Sequence, residues 1–279
     1  MQSLLNVPAE VVSANINAAV AKAAAKKRRI FVLGIMAGAF IAMGAQSSSL
    51  AVHNITDVGI ARTLAGCIFP VGLMMIVFVG GELFTGDCMM SMACMKDRIG
   101  FGSLLRTLLI VYLGNFAGAV LIAFLVAHSG QYDYSAGALG AYTIKTAVGK
   151  TGLSFMRALF SGILCNILVC AAVLMAAAAK DIGGKVLAIF FPILAFVVSG
   201  FEHCVANMYY IPAGIFAAGN PAYVQKAQEL YGLGAEKLTG LNWGSFVTVN
   251  LLPVTIGNII GGAVMVGGVC FYLHGKAEG

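Results

Sequence analysis

Residues 199–214 read SGFEHCVANMYYIPAG, directly after the apolar run VLAIFFPILAFVV at 186–198. Glu202, His203 and Asn207 stand among hydrocarbon neighbours, and Gly200 precedes them. The first half of the chain holds a counterpart. GGELFTGD at 80–87 follows VGLMMIVFV, again with glycine ahead of a glutamate, Glu82. Polar, glycine-broken chain inside an apolar segment decides the fold, because unpaired backbone groups cost several kcal/mol each in lipid. Such chain is tolerated only against protein or a water-lined path.

Composition sets the solvent. Of 279 residues, 60% are hydrophobic and 10% charged, against about 25% charged in a soluble domain. That deficit marks an integral membrane protein, and the 35 glycines suit close helix packing. The net charge of +6 comes from basic residues flanking apolar segments, so it excludes a nucleic-acid-binding face and reports topology. Seven cysteines lie almost wholly inside apolar runs and read as small buried hydrophobes, not as a disulfide framework. No secretory signal pattern is present, and no cofactor or metal motif is found.

A hydrocarbon core of about 30 Å takes about 20 apolar residues per helix. Six regions qualify, at 30–52, 61–95, 103–127, 153–178, 186–216 and 244–273, with the second and fifth too long and broken. Three units follow: an amphipathic helix at 1–29, a transmembrane unit at 30–273 and a tail at 274–279. The helix PAEVVSANINAAVAKAAAKK is expected on the inner membrane surface or docked on a partner face. AKKRR before the first span weights the positive-inside rule toward both termini in the cytoplasm, with the plasma (inner) membrane as the location. The loop at 217–243 then lies outside, with AQELYG as a short helix.

The third span contains GNFAGA from Gly114 and the sixth GNIIGG from Gly257. Plain, broken and Gly-Asn spans thus recur once per half, and three spans per half invert the second repeat. Inverted repeats with paired broken helices point to a transport site near the midplane. Half-helix N-termini there favour anions. An ionisable side chain at that depth is a functional candidate by default, which singles out His203. His53, His128 and His274 fall at span ends. An enzyme using Glu202 and His203 as an acid–base pair is the rival from another class. It lacks HExxH spacing and a nucleophile elbow.

GELFTGD, SGFEHCVANM, IPAGI and NLLPVTIGNIIGG together resemble the signature segments of the formate/nitrite transporter family, across all six spans. The resemblance implies an all-α, aquaporin-like inverted 3+3 fold, a homopentamer with one pore per protomer, and small monovalent anions as cargo. Formate is the expected substrate, with nitrite or hydrosulfide as the alternative; membrane lipid surrounds the protein, and no nucleic acid is bound. It also implies site roles. Phe69 and Phe196 would form the outer constriction; Leu73, Leu83 and Phe84 the inner one; Thr85 would reach His203 between them. Lys150, placed in a loop, and Asn166 would set polarity around the path, and Asn258 would line it. Glu82 and Glu202 would hold the breaks through freed backbone amides. Pro70, next to Phe69, would reshape the outer constriction.

Overall fold

A computed structural model describes residues 5–275; residues 276–279 of the expected C-terminal tail lie outside it. Among the described residues, six helical spans are long and apolar enough to cross a membrane. In chain order they are α2 (Lys27–Val52), α3 (Val58–Val79), α5 (Phe101–His128), α7 (Phe155–Ala178), α8 (Ile182–Ser199) and α12 (Trp243–Gly275). The N-terminal α1 covers Pro8–Ala24. Residues 84–95 continue α3 after its break as a short helical run, α4. Cys204–Ala218, α9, continues α8 in the same way.

Both breaks begin with a glycine in a backbone conformation that L side chains avoid, Gly80 at φ +103° and Gly200 at φ +69°. Four residues further on, at Phe84 and at Cys204, the chain re-enters a helix. The fold packs each half around a glycine seam. α2 lies against α5 so closely that a methyl group on Gly118 would come within 2.0 Å of Ile35 O. In the second half α7 lies against α12, where a methyl on Gly261 would meet Ile163 O at 2.3 Å. The G-N-x-x-G spacing shared by 114–118 and 257–261 therefore has a physical meaning: glycines one turn apart close each seam.

Three elements go beyond what the sequence pattern conveys. The segment before the fourth span forms α6 (Ala138–Thr151), buried against α9, and it carries Lys150 in its last turn, so Lys150 is helical and not in a loop. The 217–243 segment holds, besides the helix expected at AQELYG, which is the end of α10 (Pro221–Tyr231), a second one, α11 (Ala235–Thr239). The sixth span is wound partly as π-helix, at Phe246–Leu251 and Ile260–Gly268, on either side of the segment that bears Asn258. Pro70 interrupts α3 after Phe69 and divides it into Val58–Ile68 and Val71–Val79.

α1 is docked. Its Val12, Ile16 and Ala19 share one face and are buried, where they join a cluster with Met89, Met92, Ala93 and Cys170. One end of the helix is pinned by charge: Lys22 Nζ is 2.5 Å from Glu82 Oε2 and 2.5 Å from Asp87 Oδ1. Burial works to lower the pKa of Lys22, but the two carboxylates outweigh it and hold the amine above its ordinary value.

Candidate functional site

Each break is held by one asparagine in the same way. In the first half Asn115 Oδ1 accepts from Phe84 N at 2.9 Å. Its Nδ2 donates to Gly34 O and to Glu82 O, both at 2.8 Å. In the second half Asn258 Oδ1 accepts from Cys204 N at 2.9 Å, while Nδ2 donates to Gly162 O at 2.7 Å and to Glu202 O at 3.1 Å. A broken helix leaves unpaired donors and acceptors, and each asparagine supplies one acceptor and two donations to the broken strand and the neighbouring span. The backbone support expected of Glu82 and Glu202 thus comes from asparagines. Asn115, seen in the sequence only as half of a Gly-Asn pair, is the missed member.

The clamps match, but what they carry does not. Between the two clamped atoms of each break stands one residue, Leu83 in the first half and His203 in the second. His203 is the N-cap of α9: Ala206 N–H donates to its Nδ1 at 3.1 Å. A donor at Nδ1 requires a lone pair there, so the neutral ring carries its proton on Nε2. That nitrogen lies 2.9 Å from Thr85 Oγ1, which reaches it from the opposite break. Thr85 is fully buried and His203 is 3% exposed.

Glu202 is occupied by side chains. Its Oε1 is 2.9 Å from Lys150 Nζ, and its Oε2 accepts from Asn207 at 2.7 Å and from Asn250 at 3.2 Å. Asn250 also donates to Lys150 O at 3.0 Å, tying the end of α6 into the network. The Lys150 ammonium lies 5.2 Å from the centre of the Tyr210 ring. Glu82, the counterpart carboxylate, pairs with Lys22. Asn207 Nδ2 also donates to Asn250 Oδ1 at 2.7 Å, while Asn207 Oδ1 is buried without a hydrogen-bond partner, a costly state at low dielectric. Asn250 and Lys22 were not singled out in the sequence, because their partners lie 43 to 100 residues away and leave no local pattern.

Phe69 and Phe196 face each other edge to face, with ring centres 5.4 Å apart, and Phe196 is 6.0 Å from the imidazole. A cavity of about 250 Å³ touches both rings and is also lined by Arg62, Lys150, Tyr210 and His203. Leu73, Leu83, Phe84 and Thr85 do not line it and are buried; Phe84 packs edge-on against Tyr112 at 4.8 Å. Asn166 is fully buried and donates to Thr85 O at 3.1 Å and Asn258 O at 2.6 Å, so it supports the Thr85 break and does not line the cavity. Asn258 is likewise buried in its clamp. The arrangement gives a mouth with two cations, a pair of aromatic rings, one imidazole–hydroxyl pair, and apolar side chains on the other side.

Residues 9–272 match the family described as formate/nitrite transporter. A probable formate transporter from Methanothermobacter thermautotrophicus is 35% identical over 99% of this chain and 100% of its own length. The formate channel FocA of Haemophilus influenzae is 36% identical over 96% of this chain and 94% of its own. A solved pentameric formate channel with formate bound superposes with a TM-score of 0.78 at 31% identity, over 90% of this chain and 98% of that one.

Proposed function

The chain belongs to the formate/nitrite transporter family, and from that premise we propose that it is a homopentameric path for small weak-acid anions, formate foremost, across the inner membrane. The family is one of transporters, so the acid–base enzyme reading is set aside. Relatives named as formate transporters and channels support formate as the cargo, and a solved neighbour that is itself a pentamer supports the assembly. Weighting of basic residues toward the N-terminus supports a cytoplasmic location for both ends.

One observation carries the mechanism: a neutral imidazole, bonded to the Thr85 hydroxyl, between aromatic rings and leucines. Those apolar walls exclude hydrated salts. A buried ion costs several kcal/mol even after relaxation. Formate has the acidity of a side-chain carboxyl, near ~4, so protonating it at pH 7 costs about 4 kcal/mol. The two costs are comparable, and a shared proton tips passage toward the neutral acid. The Ala206 bond argues against a permanently charged ring. A proton taken up from water at Nδ1 releases that bond and forms the imidazolium; Nε2 then gives its proton to a formate oxygen, directly or through Thr85, formic acid passes the apolar constriction, and transfer of the ring proton from Nδ1 back to Nε2 through water restores the Ala206 bond. Histidine suits the exchange because its reference pKa, about 6.5, lies near ambient pH.

Uptake of labelled formate into proteoliposomes, with simultaneous internal pH recording, tests this against protein-free liposomes. One proton equivalent per formate is expected. Uptake without protons overturns proton sharing; no uptake above the lipid background overturns formate as cargo. Competition by nitrite, hydrosulfide and acetate ranks the alternatives.

A further inference from the structure

Two cations line the outer cavity, and they are not equivalent. Lys150 is compensated: its ammonium is 2.9 Å from the Glu202 carboxylate. Arg62, on α3, has no ion pair among the described residues, and no carboxylate lines the cavity it borders. A guanidinium has five N–H donors. The structure gives this one a single hydrogen bond, a long one of 3.4 Å to Val198 O at the end of α8. The group lies against Gly200, where a methyl would meet its atoms at 3.3 to 3.4 Å. Gly200 thus leaves room for a guanidinium at the rim of the mouth, above Phe69 and Phe196.

We propose that Arg62 is the residue that recruits and orients the anion at the outer mouth, and that Lys150 is a positioning residue acting through Glu202. The inference rests on the anion-path reading above. A fixed, uncompensated cation beside a concave, low-dielectric mouth raises the local anion concentration, and the planar fork matches the two oxygens of a carboxylate. Oxyanions with two coplanar oxygens, formate and nitrite among them, therefore gain more from Arg62 than a single-atom anion such as hydrosulfide. Lys150, already bonded to Glu202, holds the second break and adds little net charge.

The test is saturation of labelled formate uptake in proteoliposomes for wild type, Arg62→Gln, Arg62→Lys and Lys150→Gln, at low and high ionic strength. Arg62→Gln is expected to raise the half-saturating formate concentration roughly threefold to tenfold in about 10 mM salt, with the maximal rate little changed. That gap closes in about 0.3 M salt, where the screening length falls well below 10 Å. Arg62→Lys restores most of the low-salt affinity, because the charge is kept. Lys150→Gln lowers the maximal rate instead, since Glu202 loses its partner. An unchanged half-saturation in Arg62→Gln overturns the proposal. So does a defect that persists in high salt and is not rescued by lysine, which assigns Arg62 to capping α8. Absence of formate uptake by wild type is the distinct failure, that of the anion-path reading itself.

Discussion

At the scale of single residues, the structure assigns one proton. Because Ala206 N–H occupies Nδ1, the neutral imidazole of His203 presents Nε2–H to Thr85. Thr85→Val keeps the volume and removes the oxygen, leaving a buried ring N–H unpaired at about 1–3 kcal/mol. Formate uptake by this variant is expected to fall tenfold or more, a factor corresponding to about 1.4 kcal/mol in the barrier, while the protein still extracts as a folded oligomer. Normal uptake would remove the hydroxyl from the pathway. His203 itself was legible in the sequence, since an ionisable group in an apolar segment has few bland explanations. The state of Lys150 was not. A lysine near a span end reads as solvated until α6 is seen to carry it onto Glu202.

Within elements, the decisive pieces are the two asparagine clamps. Removing one side chain leaves a backbone N–H and a carbonyl of the break without partners, each worth about 1–3 kcal/mol when buried. Asn115→Ala and Asn258→Ala should therefore lower the thermal midpoint in detergent by similar amounts, read by loss of the oligomer on heating. An unchanged midpoint in either variant contradicts the clamp. The seams make a second expectation: Gly118→Ala places a methyl 2.0 Å from Ile35 O, backbone that cannot rotate away. Assembly yield should drop sharply, since overpacking costs about 1–3 kcal/mol or more. Break positions were readable because glycine followed by glutamate interrupts hydrocarbon. The reason for the Gly-Asn pairs was not, because it depends on which spans lie side by side. The π-helical winding of α12 left no trace in the apolar pattern, which fixes that a span is helical and not how tightly it coils.

For the molecule as a whole, α1 is a strap across the run after the first break, fastened by Lys22 to Glu82 and Asp87. Lys22→Met leaves two carboxylates unpaired and retains bulk. Discounted for the 30% exposure of the Lys22 side chain, the loss is about 1 kcal/mol, roughly fivefold in the undocked population. Limited proteolysis should cut within residues 8–26 correspondingly faster, and equal rates would show the apolar face alone suffices. The sign for pH follows. A lysine held above its ordinary value stabilises fully below about 10.4 and is lost only above that. Titration of Lys22 itself thus adds no change in strap protection between neutral pH and mildly alkaline pH. The amphipathic pattern of α1 was visible beforehand, yet whether lipid or protein would cover it was not, because both surfaces are apolar. The spans themselves were the most legible feature, as length and hydropathy suffice. Finally, twin hinges that grip unlike central residues give the protomer a chemical direction. On the proposed path, a solute arriving from the Arg62 side would meet His203 before Leu83, and one coming back would meet the leucine first. Equal gradients imposed in opposite senses should then drive unequal initial fluxes, and that inequality should shrink when position 203 is made aliphatic like its twin.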